Sequence, residues 1–276
     1  MILINGATGN VGVELTRLLV GQNQRVRALV RDRRKSSLLP EVEIAVGDLN
    51  HPESLGDALA GVRRVFLLGG YPDMPGLMAQ IRLAGAEHVV LLTSRSVVGG
   101  DPTNVLTAMW MGSEDDVRSS GVPWTILRPS GFMSNALRWL PQLRSGDVVK
   151  APFANVPIAV IDPFDIAAVA AVALTADGHS GQSYALSGPE ALLPAEQLRV
   201  LGRELGRNLR LEAQSDAEAR DEISKSMGPA TAEAFLRFFV KGEFDDSKVV
   251  PTVEAITGTK PRTLEQWVRT HADLFR

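Results

Sequence analysis

A glycine-rich turn between an apolar strand and a helix of apolar period constrains this chain more than any other feature. Asn5-Gly6-Ala7-Thr8-Gly9-Asn10-Val11-Gly12 follows the run Ile2–Asn5 directly and opens the next helical stretch. Gly6 permits the tight turn, Gly9 lets backbone approach a pyrophosphate, and Gly12 allows the helix to pack closely. The free N–H groups and positive dipole end of that helix face the phosphates. Strand, turn and helix in this order turn a glycine triplet into a dinucleotide-binding signal. Gly6, Thr8, Gly9, Asn10, Val11 and Gly12 are therefore candidate phosphate-binding residues.

The rest of the first half continues the rhythm. Strands are predicted near Ile2–Asn5, Arg25–Val30, Val42–Val46, Arg64–Leu68, His88–Thr93 and Trp124–Arg128. Helices are predicted near Val11–Val20, Pro52–Ala60, Met74–Ala84 and Val105–Ser119. This alternation implies right-handed βαβ units and an α/β fold, a Rossmann-type doubly wound parallel sheet. The near-continuous apolar runs Val65–Leu68 and Val89–Leu92 suit strands covered on both faces. Beyond residue 130 the rhythm breaks at Pro141, Pro152, Pro157 and Pro163, one more strand is expected at Ser183–Leu186, and a short one near Leu209–Glu212. The expected organisation is a nucleotide-binding core over 1–150 and a small, mostly helical substrate lobe over 151–276. About 158–187 return a last strand and helix to the core.

Bulk properties remove other classes. A net charge of -3 gives no reason to expect nucleic acid or an anionic membrane as partner. The chain has no cysteine, which excludes disulfides and thiolate catalysis and suits a reducing cytoplasm. Its four histidines (His51, His88, His179, His271) are scattered without metal-ligand spacing, so no metal site is expected. No signal peptide is read at the N-terminus, and the apolar stretch Ile166–Leu174 is too short to cross a bilayer.

The end of the second strand should meet the adenosine ribose, where an NAD enzyme places an acid. Here stands Leu29-Val30-Arg31-Asp32-Arg33-Arg34-Lys35. Val30 accepts no hydrogen bond, whereas Arg31, Arg34 and Lys35 offer cations to a 2′-phosphate, pointing to NADP(H). Asp32 would serve NAD if the register slipped by one. Asp48 and Leu49 after the third strand are expected to border the adenine. Gly69 and Gly70 after the fourth are expected beside the nicotinamide ribose, and Thr93 completes the cofactor set.

Together these features resemble the NmrA-like, atypical short-chain dehydrogenase/reductase family. The resemblance covers nearly the whole chain. Besides the glycine turn, Arg31 and Gly47-Asp48-Leu49, it rests on Leu91-Leu92-Thr93-Ser94 and the run from Ser120 to Pro129. Ile161-Asp162-Pro163-Phe164-Asp165-Ile166-Ala167 and Thr257-Gly258-Thr259-Lys260-Pro261-Arg262-Thr263 complete it. It implies kinship with NADPH:quinone oxidoreductases and with NADPH-sensing regulators.

One departure from the wider superfamily bears on chemistry. Active members carry Tyr-x-x-x-Lys to protonate the alkoxide formed from a ketone. The two tyrosines here, Tyr71 and Tyr184, are followed four residues later by Pro75 and Gly188. Aligning Glu114 with the family's helix acid puts Leu106 and Trp110 where Tyr and Lys would stand. A quinone or similar planar enone needs mainly proximity and a flat apolar slot, because its charge is delocalised. Leu106, Trp110, Phe132, Met133, Asn135 and Phe153 are candidate substrate-binding residues. Ser94, Trp110 and Tyr71 are the catalytic candidates, Tyr71 as a proton donor. Three functions stay open: an NADPH-dependent reductase of a small aromatic or quinone-like substrate, a non-catalytic NADP(H) sensor acting through a protein partner, and reduction of an imine or specialised ketone with Tyr71 or a bound water supplying the proton. Either a monomer or a homodimer is compatible with this reading.

Overall fold

The structure, a computed structural model, describes residues 1–33 and 38–275. Seven parallel strands form the main sheet: β1 (Ile2–Asn5), β2 (Val26–Val30), β3 (Glu43–Val46), β4 (Arg64–Leu68), β5 (His88–Leu92), β6 (Trp124–Pro129) and β8 (Gln182–Leu186). Their order is β3-β2-β1-β4-β5-β6-β8. The chain reverses its direction of winding between β1 and β4, and ligands of such sheets bind at the carboxyl ends beside that reversal. The expected Rossmann-type α/β fold is present.

Alternation along each strand builds two cores. Ile2, Ile4, Val26, Ala28, Phe66, Val90, Leu92 and Leu127 point to one face. Leu3, Leu29, Val65, Leu67, Val89, Leu91 and Ile126 point to the other. Period-two side chains buried on both faces explain why these strands read as continuous apolar runs. The first face is covered by α1 (Asn10–Gly21) and α6 (Pro163–Thr175), which pack on each other. α6 is buried almost all round through Ile166, Ala167, Val169, Ala170, Ala171, Ala173 and Leu174, and its alanines let neighbouring backbone come close. That accounts for the long apolar stretch seen in the sequence. Asp162 caps α6 by accepting from Phe164 N at 2.8 Å, and Asp165 accepts from Arg262 N at 2.8 Å. Burial pushes the Asp165 carboxyl up to about 7, against the lowering effect of that bond. The second face carries α3 (Met74–Leu83) and α4 (Val105–Ser119), capped by Asp73 and Asn104.

One predicted element differs, and one strand was not predicted. The helix expected over 52–60 is a 3₁₀ turn, Pro52–Leu55, followed by the short α2 (Gly56–Leu59). A proline start and a glycine in mid-segment both weaken a continuous α-helix. A strand absent from the sequence reading, β7 (Val148–Ala151), pairs in parallel with β9 (Arg210–Ala213). Between β6 and β7 lie a 3₁₀ segment, Met133–Trp139, and α5 (Leu140–Leu143). The remaining helices are α7 (Pro194–Leu205), α8 (Asp216–Met227), α9 (Pro229–Phe239), α10 (Thr252–Thr257) and α11 (Leu264–His271). A third, smaller core gathers Met133, Ala136, Leu143, Val149, Leu198, Leu201, Trp267 and Val268. It draws on residues upstream of the boundary at 150 expected from the sequence. Among the described residues no helix is long and apolar enough to cross a membrane.

Glu114, fully buried on α4, fastens that helix to the sheet. It accepts from Thr93 Oγ1 at 2.9 Å, from Arg128 Nε and Nη2 at 2.9 and 2.6 Å, and from Arg118 Nη2 at 2.6 Å. Burial alone would raise its carboxyl, but Arg128, Thr93 and Arg118 hold it below the usual range. Glu114→Gln is expected to cost about 3–5 kcal/mol at neutral pH, because Arg128 loses its buried counter-charge. A carboxylate held below its unfolded value of 4.5 stabilises the fold above that pH and loses this contribution as pH falls. Urea unfolding of wild type and variant at neutral and acid pH should therefore show a deficit that narrows in acid.

Candidate cofactor and substrate site

The glycine turn forms as a closed loop. Gly6 lies at φ +70°, and Gly9 N donates to Gly6 O at 2.8 Å. A Cβ on Gly12 would sit 2.0 Å from Gly6 O and 2.8 Å from Ala7 Cα, so Gly12 is required by the loop backbone itself. A Cβ on Gly9 would meet only Gly6 O, at 3.2 Å, and otherwise enters open space. Gly9 is also the N-cap of α1 and supplies no side-chain cap. The first N–H groups of α1 beside this open space suit a pyrophosphate.

A cleft of about 690 Å³ runs along the carboxyl ends of β1 to β4, lined by Asn5, Gly6 and Thr8, by Leu29–Asp32, by Gly47–Asn50, and by Leu68 and Tyr71. Its walls meet through a residue that the sequence reading gave no role. Asn5 Oδ1 accepts from Leu68 N at 3.1 Å, and Asn5 Nδ2 donates to Tyr71 Oη at 3.2 Å. Asn5 thus joins the tips of β1 and β4 across the reversal. Asp48 Oδ1 accepts from Asn50 N and Nδ2 at 3.0 and 2.9 Å, and these bonds hold its carboxyl below the usual range. Leu49 is buried in the second core. Arg31 is exposed at the rim, whereas Arg33 Nη2 is tied back to Ile44 O at 2.8 Å. Arg34 and Lys35 lie outside the described residues.

The residues expected at the nicotinamide end fall into separate contacts. Gly70 lies at φ +87°, and its N–H donates to Ser113 Oγ at 2.9 Å. A Cβ on Gly69 would stand 3.3 Å from Trp110 Cζ3, so the half-buried Trp110 ring lies against this loop. Leu106 is half-buried one turn earlier on α4. Thr93 is turned inward, and its one hydroxyl proton goes to Glu114. Ser94 differs. Its Oγ accepts from Ser96 N at 3.2 Å and from Ser96 Oγ at 3.1 Å, so its own proton is left for another acceptor. Tyr71 lines the cleft beside the end of β4, together with Arg31 and Asp48.

In the segment after β6, Phe132 is half-buried against the first core and bridges Ile161. Met133 is 2% exposed and belongs to the third core, so its side chain serves packing; Asn135 is exposed. Ser134 Oγ accepts from Asn10 Nδ2 at 3.0 Å, a tie between the glycine turn and this segment that no sequence signal announced. Phe153 is held at φ +56°, costly for a residue with a side chain, with its ring 5.0 Å from that of Phe239. Phe239 in turn stacks on Phe235 at 6.0 Å, and α9 is anchored to the start of α4 by Asn104 Nδ2, which donates to Ala234 O at 3.1 Å.

The family model for NAD(P)H-binding proteins matches residues 6–177. The chain is 40% identical to a (4-alkanoyl-5-oxo-2,5-dihydrofuran-3-yl)methyl phosphate reductase of Streptomyces griseus, over 100% of this chain and 99% of that protein. It is 33% identical to an NAD(P)H azoreductase of Xenophilus azovorans, over 100% of this chain and 99% of that protein. It also shares the fold of the NADPH-dependent quinone oxidoreductase QOR2 of Escherichia coli, complexed with NADPH. That match has a TM-score of 0.82 and 22% identity, over 99% of this chain and 100% of that one.

The two glycines should separate stability from binding. Gly12→Ala is expected to lower stability by about 1–3 kcal/mol, because its methyl meets backbone that cannot yield. Gly9→Ala should melt near the wild-type temperature yet bind nucleotide about ten-fold more weakly or worse, its methyl occupying phosphate space. Thermal melts alongside nucleotide titration would check both.

Proposed function

The chain belongs to the NAD(P)H-binding family, in its NmrA-like branch, and is an NAD(P)H-dependent oxidoreductase; on that premise we propose that it reduces a planar, conjugated acceptor, a quinone or enone, at the expense of NADPH. The observation that carries this reading is the hydroxyl of Ser94. It is oriented by Ser96, it keeps its own proton, and it stands beside a helix with no Tyr-x-x-x-Lys pair.

NADPH, when bound, supplies a hydride. The chain's own residues must then orient the acceptor and accommodate the negative charge that develops on its oxygen. Addition to an electron-poor double bond spreads that charge over an enolate or a phenolate, which a hydrogen-bond donor stabilises and solvent later protonates. Ser94 Oγ–H is that donor. Phe132 and Trp110 flank the acceptor plane. Tyr71, whose hydroxyl accepts from Asn5 on the adenosine side, is assigned to the cofactor. Glu114 holds Thr93 and α4 in place and takes no proton from substrate.

The relatives' names agree with this chemistry. The Streptomyces relative is named for a dihydrofuranone whose ring alkene is conjugated to two carbonyls, and the Xenophilus relative for azo compounds, which are likewise planar electron-poor acceptors. Preference for NADPH over NADH is assigned to Arg31 at the rim of the cleft, beside Val30, which offers the ribose no acceptor.

The test is NADPH consumption, followed by absorbance, with a panel of quinones and acyl-butenolides. Turnover with at least one acceptor is expected, and Ser94→Ala should lower kcat about ten-fold or more with little change in the Kd for NADPH. Arg31→Ala should raise KM for NADPH about ten-fold and leave KM for NADH unchanged. Tight nucleotide binding with no turnover of any acceptor would sink the reductase reading and favour a nucleotide sensor, provided the oxidised and reduced forms bind with different affinity.

A further inference from the structure

A buried ion pair links the two segments that the proposed reaction needs side by side. Arg95 follows Ser94 directly and is only 5% exposed; Asp246 lies in the irregular stretch between α9 and α10 and is 4% exposed. Arg95 Nη1 donates to Lys248 O at 2.6 Å and stands 3.7 Å from Asp246 Oδ1. Asp246 Oδ2 accepts from Gly131 N at 2.9 Å, and Gly131 immediately precedes Phe132. Asp246 O accepts from Ala159 N at 2.8 Å, and Val250 N donates to Ser187 Oγ at 2.9 Å, so the stretch is pinned across the ends of β6 and β8. Asp246 Oδ1 takes no hydrogen bond from a described residue and stands 3.7 Å from the Arg95 guanidinium.

A charged pair with one bare oxygen is an expensive way to fill a core, and a well-packed apolar pair often does the same for stability. Its geometry does something an apolar pair would not. One carboxylate holds the backbone before Phe132 through Oδ2 and the side chain after Ser94 through Oδ1. We propose that Asp246 is a positioning residue, which through Arg95 and Gly131 sets the spacing between the Ser94 hydroxyl and the Phe132 ring and so orients the acceptor for hydride transfer. This rests on the reductase reading given above. None of the hydrogen-bond or ion-pair partners of Asp246 (Gly131, Ala159 and Arg95) lines the cleft at β1 to β4, so its effect is on acceptor geometry and not on cofactor affinity.

The charged groups facing Asp246 are Arg95 from the turn after β5 and Asp245 from its own segment; Gly131 and Ala159 contribute only backbone N–H groups. Burial raises its carboxyl to about 7, against the lowering effects of Gly131 and Arg95. A carboxyl raised above its unfolded value of 3.8 binds more protons when folded, so stability falls as pH climbs from there to about 7. The ionised carboxylate, however, is the form that grips Arg95. Positioning therefore predicts activity rising through about pH 7 while stability declines or levels, opposite trends that a purely structural role would not give.

The experiment compares wild type with Asp246→Asn, which keeps an acceptor for Gly131 N, and Arg95→Met. Each is assayed for kcat/KM toward the best acceptor of the panel across neutral pH, for NADPH affinity, and for amide hydrogen exchange. Asp246→Asn is expected to lose about ten-fold in kcat/KM, to lose the inflection near neutrality, and to bind NADPH within about two-fold of wild type. Amides of 94–97 and 131–133 should exchange faster while those of the glycine turn do not. Wild-type kcat/KM and an unchanged pH profile in Asp246→Asn would overturn the proposal. If wild type turns over no acceptor, the reductase reading has failed by itself. Exchange then decides the physical link, and unaltered exchange in 94–97 and 131–133 removes it.

Discussion

Parallel strands buried on both faces leave polar chemistry little room except in the loops at their carboxyl ends. β5 shows how strict the constraint is, with Val89, Val90 and Leu91 carrying no exposed surface. Several polar side chains of the candidate site accordingly hang from strand ends: Asn5 on β1, Arg31 past β2, Asp48 past β3, Tyr71 past β4 and Ser94 past β5. Those loops must also be held together, because a parallel ladder stops where the strands do. Asn5 performs that closure at the reversal, satisfying Leu68 N and Tyr71 Oη with one side chain. A buried amide satisfied on both ends is rigid, and it fixes the seam along which the nucleotide cleft opens.

What could be read from the sequence follows how local its cause is. The glycine turn was legible because one eight-residue stretch holds both its closure and its steric demands, as the Gly12–Gly6 contact shows. Strands β1, β4, β5 and β6 were legible because burial on both faces writes itself as an apolar run. α2 was misread where Pro52 and Gly56 divide one helical pattern into two short turns. β7 was missed because Val148–Ala151 has its only strand partner at Arg210–Ala213, far along the chain. Side-chain roles suffered in the same way. Thr93 and Ser94 are neighbours of similar chemistry, yet one donates inward to Glu114 and the other keeps its proton; pattern reasoning cannot separate them. Met133 shares an apolar signature with a slot residue but belongs to the small core.

The division between Thr93 and Ser94 bears on what the site can catalyse. Thr93 is committed to a carboxylate that also carries two arginines, so its hydroxyl has no proton left for a ligand. A localised alkoxide would need a positioned proton donor, and the alignment on Glu114 offers only Leu106 and Trp110 at the places of the Tyr and Lys. A delocalised oxyanion needs only a hydrogen-bond donor in the right place, the lesser demand that the proposal assigns to Ser94. On the proposed reading, the missing Tyr-x-x-x-Lys pair and a conjugated acceptor are two sides of one energetic condition.

The two halves of the reaction are held by different kinds of contact. On the nucleotide side most ties are short-range or run between adjacent strand ends, such as Gly9 to Gly6, Asn50 to Asp48 and Leu68 to Asn5. On the acceptor side they join distant parts of the chain: Arg95 to Lys248, Gly131 to Asp246, Asn104 to Ala234. Local contacts re-form wherever the short motif recurs, so the hydride end is a stable inheritance of the fold. Distant ones depend on how the C-terminal segments pack, and small changes there move the Ser94 turn and the Phe132 segment relative to each other. A scaffold built this way keeps its cofactor while its acceptor changes. That is the physical reason a shared nucleotide-binding fold says little about which molecule the chain reduces.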